Sequence, residues 1–145
     1  MSVQLHLEKV SLAQLGEIKR TEKIGRKQVV FVYRRPYFQP PEETVQRYER
    51  LMRAYPRLTP IQRMRRATRG SNFDTRLRRR ILHDSESIKK LRQIAVRSLS
   101  KPVYLVDEKP DRPDVDILIS LCKYFIGSGG WVPDIPNQLG EEVKQ

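Results

Sequence analysis

Between Ile61 and Lys101 the chain sets thirteen Lys or Arg residues against three acids, and apolar residues recur through the same stretch at helical spacing. Ten of the thirteen are Arg, and the window carries a formal charge of +10 out of +12 for all 145 residues. The pattern limits what the segment can be. A disordered basic tail would show no apolar periodicity, and a fully buried helix could not hold this charge. Short amphipathic helices, apolar behind and cationic in front, satisfy both constraints. A folded surface this basic repels itself unless an anion is usually near.

The window divides by its punctuation. Thr59 and Pro60 act as cap and first residue of a helix, with Ile61, Met64 and Ala67 inward and Arg63, Arg65, Arg66 and Arg69 outward. Gly70 is expected to close it, and Ser71 or Asn72 to cap the next. That helix has Phe73, Leu77 and Ile81 as its inner stripe and leaves Arg76, Arg78, Arg79 and Arg80 outside. Asp84 or Ser85 begins another, with Ile88, Leu91, Ile94 and Ala95 inward and Lys89, Lys90, Arg92 and Arg97 outward.

The flanks are of different character. Val3, Leu5 and Leu7 alternate with polar residues as a strand, Ser11 caps a short helix, and Lys27 to Tyr33 (KQVVFVY) is the best strand signal in the chain. This second strand is expected to pair with the first across the helix. Arg34 to Pro41 is a Pro-bounded connector. Pro41, Glu42 and Glu43 open a helix with Val45, Tyr48, Leu51, Met52 and Tyr55 on its apolar face, ended by Pro56. Ser100 to Val106 is either extended or a short helix from Pro102. Asp107 to Pro113 reads as a mobile loop, and Asp114 to Phe125 as the central core helix, stopped by the glycines that follow.

These readings give a mainly α fold: a bundle of about five helices with a small N-terminal β element. The expected organisation is a single domain over 1–145. It comprises an N-terminal strand–helix–strand element (1–40), a basic helical body (41–126) and a loose C-terminal tail (127–145). Net charge runs +5 over residues 1–40, +1 over 41–60 and −4 over 102–145. The acidic end either docks on a basic neighbour or offsets repulsion at home.

Several function classes lose support. The single Cys122 forms no internal disulfide and sits among apolar residues, as a packed thiol in a reducing, cytoplasmic setting would. No secretory signal is visible, and the longest apolar run is too short to span a bilayer, so no membrane partner is expected. His83 and Asp84 spell the HD dyad of metal phosphohydrolases, but the chain has only two histidines and that site needs more ligands. No catalytic residue, metal or cofactor is therefore expected.

What remains is a basic face that could be solvated, could meet an acidic protein, or could hold a nucleic-acid backbone. Arg density with few local acids favours the last, because the guanidinium fork suits phosphate. The expected contacts are Arg63, Arg65, Arg66, Arg69, Arg76, Arg78, Arg79, Arg80, Lys89, Lys90, Arg92 and Arg97, on successive helices lining a shared groove. Phe73 is the one aromatic in the window and reads as core. Tyr33, Tyr37 and Phe38, beside Arg34 and Arg35, are open to two readings, base stacking or packing. Without a zinc site or an RNP-type strand, the expected mode is sequence-independent binding of RNA or single-stranded DNA.

The order of elements also resembles a known family. Arg-rich helices (Arg63 to Arg97), SLSKPVYLV (Ser98 to Val106), an acidic loop, and an apolar helix (Asp114 to Phe125) ending in glycines are similar to the small subunits of Cascade-type CRISPR effector complexes. That resemblance implies an all-helical bundle without catalysis. It also implies several copies along the complex, supporting the guide–target duplex and the displaced DNA strand beside other protein subunits, in antiviral defence. A ribosomal or ribosome-associated RNA-binding protein is the alternative, though such chains usually carry longer unpatterned basic tails.

Overall fold

The computed structural model describes residues 4–127. It is mainly α, as the periodicity predicts: six helices pack with a three-stranded parallel sheet. The expected 127–145 tail lies, apart from Gly127, outside the described residues, as does Val3 of the first predicted strand.

The sheet corrects the sequence reading. Strand β1 is Leu7–Val10, β2 is Val29–Phe31 and β3 is Val103–Val106, in the order β1-β3-β2. The two N-terminal strands do not pair with each other. Both run parallel to β3, with Leu7 opposite Val103 and Val29 opposite Tyr104. The ambiguous VYLV segment is therefore a strand, and the central one. All four of its residues are buried, because both sheet faces are covered. A doubly covered parallel strand is a continuous apolar run rather than an alternating one.

The two faces follow the period of two. Tyr104 and Val106 lie on the side of helix α1 (Leu12–Thr21), packed with Val10, Leu15 and Val29. Val103 and Leu105 face the main core. Ser11 caps α1 through a reciprocal pair: its hydroxyl accepts from the Gln14 N–H while the Gln14 side chain accepts from the Ser11 N–H. The predicted long strand Lys27 to Tyr33 is cut to three residues by single turns at Arg26–Gln28 and Val32–Arg34. The turning chain carries Val32 and Phe38 into the core, both essentially solvent-free.

The helical body keeps its expected succession of helices. Helix α2 is Glu42–Ala54, α3 Pro60–Ser71, α4 Phe73–Leu82, α5 Ser85–Arg97 and α6 Asp114–Gly127. Thr59 and Asp84 cap α3 and α5. Phe73, Leu77 and Ile81 are fully buried against Leu91, Leu118, Leu121 and Cys122. Burial pushes the Cys122 thiol up to about 12, so it stays protonated.

Three local expectations fail for physical reasons. Gly70 does not end α3; the helix runs on to Ser71, and Asn72 makes the break in the left-handed region at φ 56°. A β-carbon on Gly70 would lie 2.8 Å from Leu51 Cδ1, so its smallness lets α2 and α3 approach. Ile61 is 63% exposed, because only Ala67 and Ser71 of α3 are buried, further along the helix. Tyr55, placed at the end of the α2 apolar face, is exposed under the Arg66 guanidinium, 4.9 Å from its ring.

The segment Asp107 to Pro113 is pinned rather than mobile. Arg112 is buried and forms a fork with Asp114, Nε to Oδ1 at 3.1 Å and Nη2 to Oδ2 at 2.7 Å. Its Nη1 donates to the Tyr33 hydroxyl, and its guanidinium lies 5.6 Å from the Phe73 ring centroid. The Tyr48 hydroxyl donates to the Asp111 carbonyl. Burial raises the Tyr48 pKa to about 12, which keeps that donor protonated. Among the described residues no helix is long and apolar enough to cross a membrane.

Candidate nucleic-acid interface

The twelve predicted cations separate into exposed and half-buried groups. Arg65, Arg66, Arg69, Arg76, Arg79, Arg80, Lys89 and Arg92 are exposed, whereas Arg63, Arg78, Lys90 and Arg97 are half-buried. Arg78 is held structurally: Nε donates to Asp74 one turn back, and Nη2 donates to the Ser120 hydroxyl of α6 at 3.1 Å. Lys90 reaches Glu86 at 3.8 Å. Arg97 Nη1 donates to the Lys27 carbonyl at 3.0 Å, tying α5 to the turn before β2. Arg92 stacks over Phe125 of α6 at 5.2 Å. Among the described residues, Arg78 and Lys90 are the only two of the twelve in an ion pair.

The structure gathers nine of these cations in two troughs that share no lining residue; Arg63, Arg66 and Arg78 line neither. The first runs over α3 and α4. One hollow of about 470 Å³ is lined by Arg76, Arg79, Arg80 and His83; the next, about 570 Å³, by Arg65 and Arg69. Asn72 and Thr75 are common to both. The left-handed Asn72 causes this convergence. It breaks the helix in a single residue, with no intervening loop between α3 and α4, so the end of one arginine face meets the start of the other.

The second trough follows α5. A hollow of about 1140 Å³, lined by Lys89 and Arg92 on the helix, continues into one of about 400 Å³ through Lys27, Lys90, Gln93 and Arg97. Arg26 and Arg35 line the smaller hollow too. These two and Lys27 lie outside the charged window and were missed from sequence. The signal was present as the paired bases Arg26–Lys27 and Arg34–Arg35, but nothing local says that β3 will draw the β2 region against α5. Arg47, Arg50 and Arg53 of α2 are exposed and line neither trough.

The aromatic candidates are sorted by the fold. Phe38 is core. Tyr33 is clasped by Lys109 and Arg112, at 5.1 and 4.8 Å from its ring. Tyr37 remains half-exposed on the wall of the smaller α5 hollow.

The HD dyad has a local role. Asp84 accepts from the Ser87 N–H at 3.0 Å and from the Ser87 hydroxyl at 2.6 Å, which hold its carboxyl below the usual carboxylate range. Among the described residues no group of three or more His, Cys, Asp or Glu side chains could hold a metal ion. Compared with protein families, curated proteins and solved structures, the chain finds no match.

Proposed function

We propose that this chain is a non-enzymatic, cytoplasmic subunit of a ribonucleoprotein complex that grips nucleic-acid backbone without reading sequence. The observation that carries the reading is the α3–α4 trough. Arg65, Arg69, Arg76, Arg79 and Arg80 are all exposed, none is in an ion pair among the described residues, and all converge on two adjoining hollows. A solvated surface intersperses both signs of charge, whereas here the one acid among the described lining residues, Asp74, is already paired with Arg78, and the five unpaired arginines face the hollows. Backbone phosphates supply the missing charge, and their release of counterions makes binding steep in salt.

The likeness to Cascade small subunits supplies the kind of complex. The basic helices, the VYLV segment and the apolar α6 follow the order on which that likeness rests, while the parallel sheet is an addition to the all-helical body it implies. Reversing charge at Arg76, Arg79 and Arg80 together tests the reading. The folded variant should lose binding to a single-stranded oligonucleotide, and its slope of log affinity against log salt should fall by about 2, three contacts at roughly 0.7 each. Unchanged affinity at low salt refutes it. RNA recovered with the native protein separates the two particles: short heterogeneous guides belong to a CRISPR effector, one ribosomal species to a ribosome.

A further inference from the structure

The smaller α5 hollow is built differently from the α3–α4 trough. Its volume, about 400 Å³, falls within the roughly 300–1,000 Å³ common to ligand pockets. Arg26, Lys27, Arg35, Lys90 and Arg97 stand around it. Val29 and Val30 of the β2 edge and Ile94 of α5 line its base, and its apolar floor comes from Val30 and Ile94, since the Val29 side chain packs on the α1 side of the sheet. Tyr37 makes one wall. That ring is fixed by an edge contact to the buried Phe38 at 4.6 Å, and its backbone carbonyl lies 2.6 Å from the Ser87 hydroxyl, whose one proton it shares with the Asp84 carboxylate. Arg97 is likewise held in place by its bond to the Lys27 carbonyl.

Cations alone would suit a passing phosphate. An apolar floor and a fixed aromatic wall beside those cations suit a nucleotide, which carries a flat base next to its phosphate. A base in a duplex keeps both faces stacked and its edge paired, and enters such a hollow only by leaving the stack. We propose that the hollow between the Arg26–Gln28 turn, Tyr37 and α5 takes one unpaired nucleotide of a single strand, its base against Tyr37 and the apolar floor and its phosphate on Arg35 and Arg97. The strand then continues along the adjoining hollow past Lys89 and Arg92. This rests on the backbone-gripping reading and adds to it a preference for strands with unpaired bases.

Two oligonucleotides of equal length and charge test it on the full-length protein by fluorescence anisotropy: oligo-dT, and the same backbone made of abasic sites. The dT strand should bind about ten-fold more tightly, the scale of one stacked base, and Tyr37→Ala should remove the difference while leaving affinity for the abasic strand unchanged. Equal affinities for the native protein overturn the proposal and leave backbone gripping intact. Binding of neither strand at low salt overturns both. A difference that survives Tyr37→Ala places the base elsewhere and overturns the assignment. Should Tyr37→Ala fail to fold, photocrosslinking of a 5-iodouracil strand to the native chain decides, with adduct at Tyr37 expected and adduct confined to other residues against the proposal.

Discussion

Arg112 and Arg79 are the same residue type put to opposite uses, and burial separates them. Arg112 is 6% exposed and committed to Asp114, itself 2% exposed, whereas Arg79 is open to solvent. Arg112→Met should cost about 3–5 kcal/mol in a denaturant titration, because it strands a buried carboxylate. Arg112→Met with Asp114→Leu should recover most of that loss. Sequence could not distinguish the two arginines. Arg112 stands between two prolines' worth of charged loop, and its partners Tyr33 and Phe73 are distant in the chain.

The two perturbed aspartates make opposite pH predictions. Burial lifts the Asp107 carboxyl above its ordinary value, against the pull of the Lys109 N–H. Folding then favours the protonated form, so ionised Asp107 costs stability at neutral pH, and the cost fades as pH falls toward the ordinary carboxylate value. Asp107→Asn should therefore raise Tm at pH 7, by a margin that shrinks as pH falls and is gone by about pH 4. Asp84 is depressed by the Ser87 hydroxyl and N–H, so its contribution is present at neutral pH and lost as pH falls through the lowered value. Asp84→Ala should lower Tm at pH 7, and that deficit should close in acid.

Among the elements, the α2–α3 contact offers a clean coupling. Gly70→Ala gains about 1 kcal/mol of helix propensity, but its new methyl meets Leu51. In a Leu51→Ala background the full gain should appear in the denaturant midpoint, while against native Leu51 it should be smaller or reversed, giving measurable non-additivity. Elements with a strong local period were legible: the Phe73, Leu77, Ile81 stripe and the caps at Ser11, Thr59 and Asp84 stand where the sequence puts them. The pairing of the strands was not legible. A short apolar run has no period to distinguish helix from strand, and nothing near residues 7–31 announces a partner at Val103.

For the molecule as a whole, +12 on a single chain predicts that salt stabilises it. Tm should climb between low and moderate NaCl as repulsion is screened, and further with a multivalent anion that occupies the troughs. A salt-independent Tm would mean that the cations do not repel one another in the fold. The cationic character of the site was readable by counting, since charge needs no partner to be seen. Its division into two troughs was not. The division depends on the one-residue break at Asn72 and on β3 drawing Arg26, Lys27 and Arg35 beside α5, both properties of the assembled chain.

The central position of β3 also sets an order of events in synthesis. Both edge strands leave the ribosome some seventy residues or more before the strand they need. Helices α2 to α5 are joined by short connections and have local partners to form on, whereas the sheet waits for Val103–Val106, a long loop closure that slows its folding. Until then the nascent chain offers its cationic helices to the nearest polyanion, ribosomal RNA. The sheet is completed by seating a four-residue plug between two strands made long before.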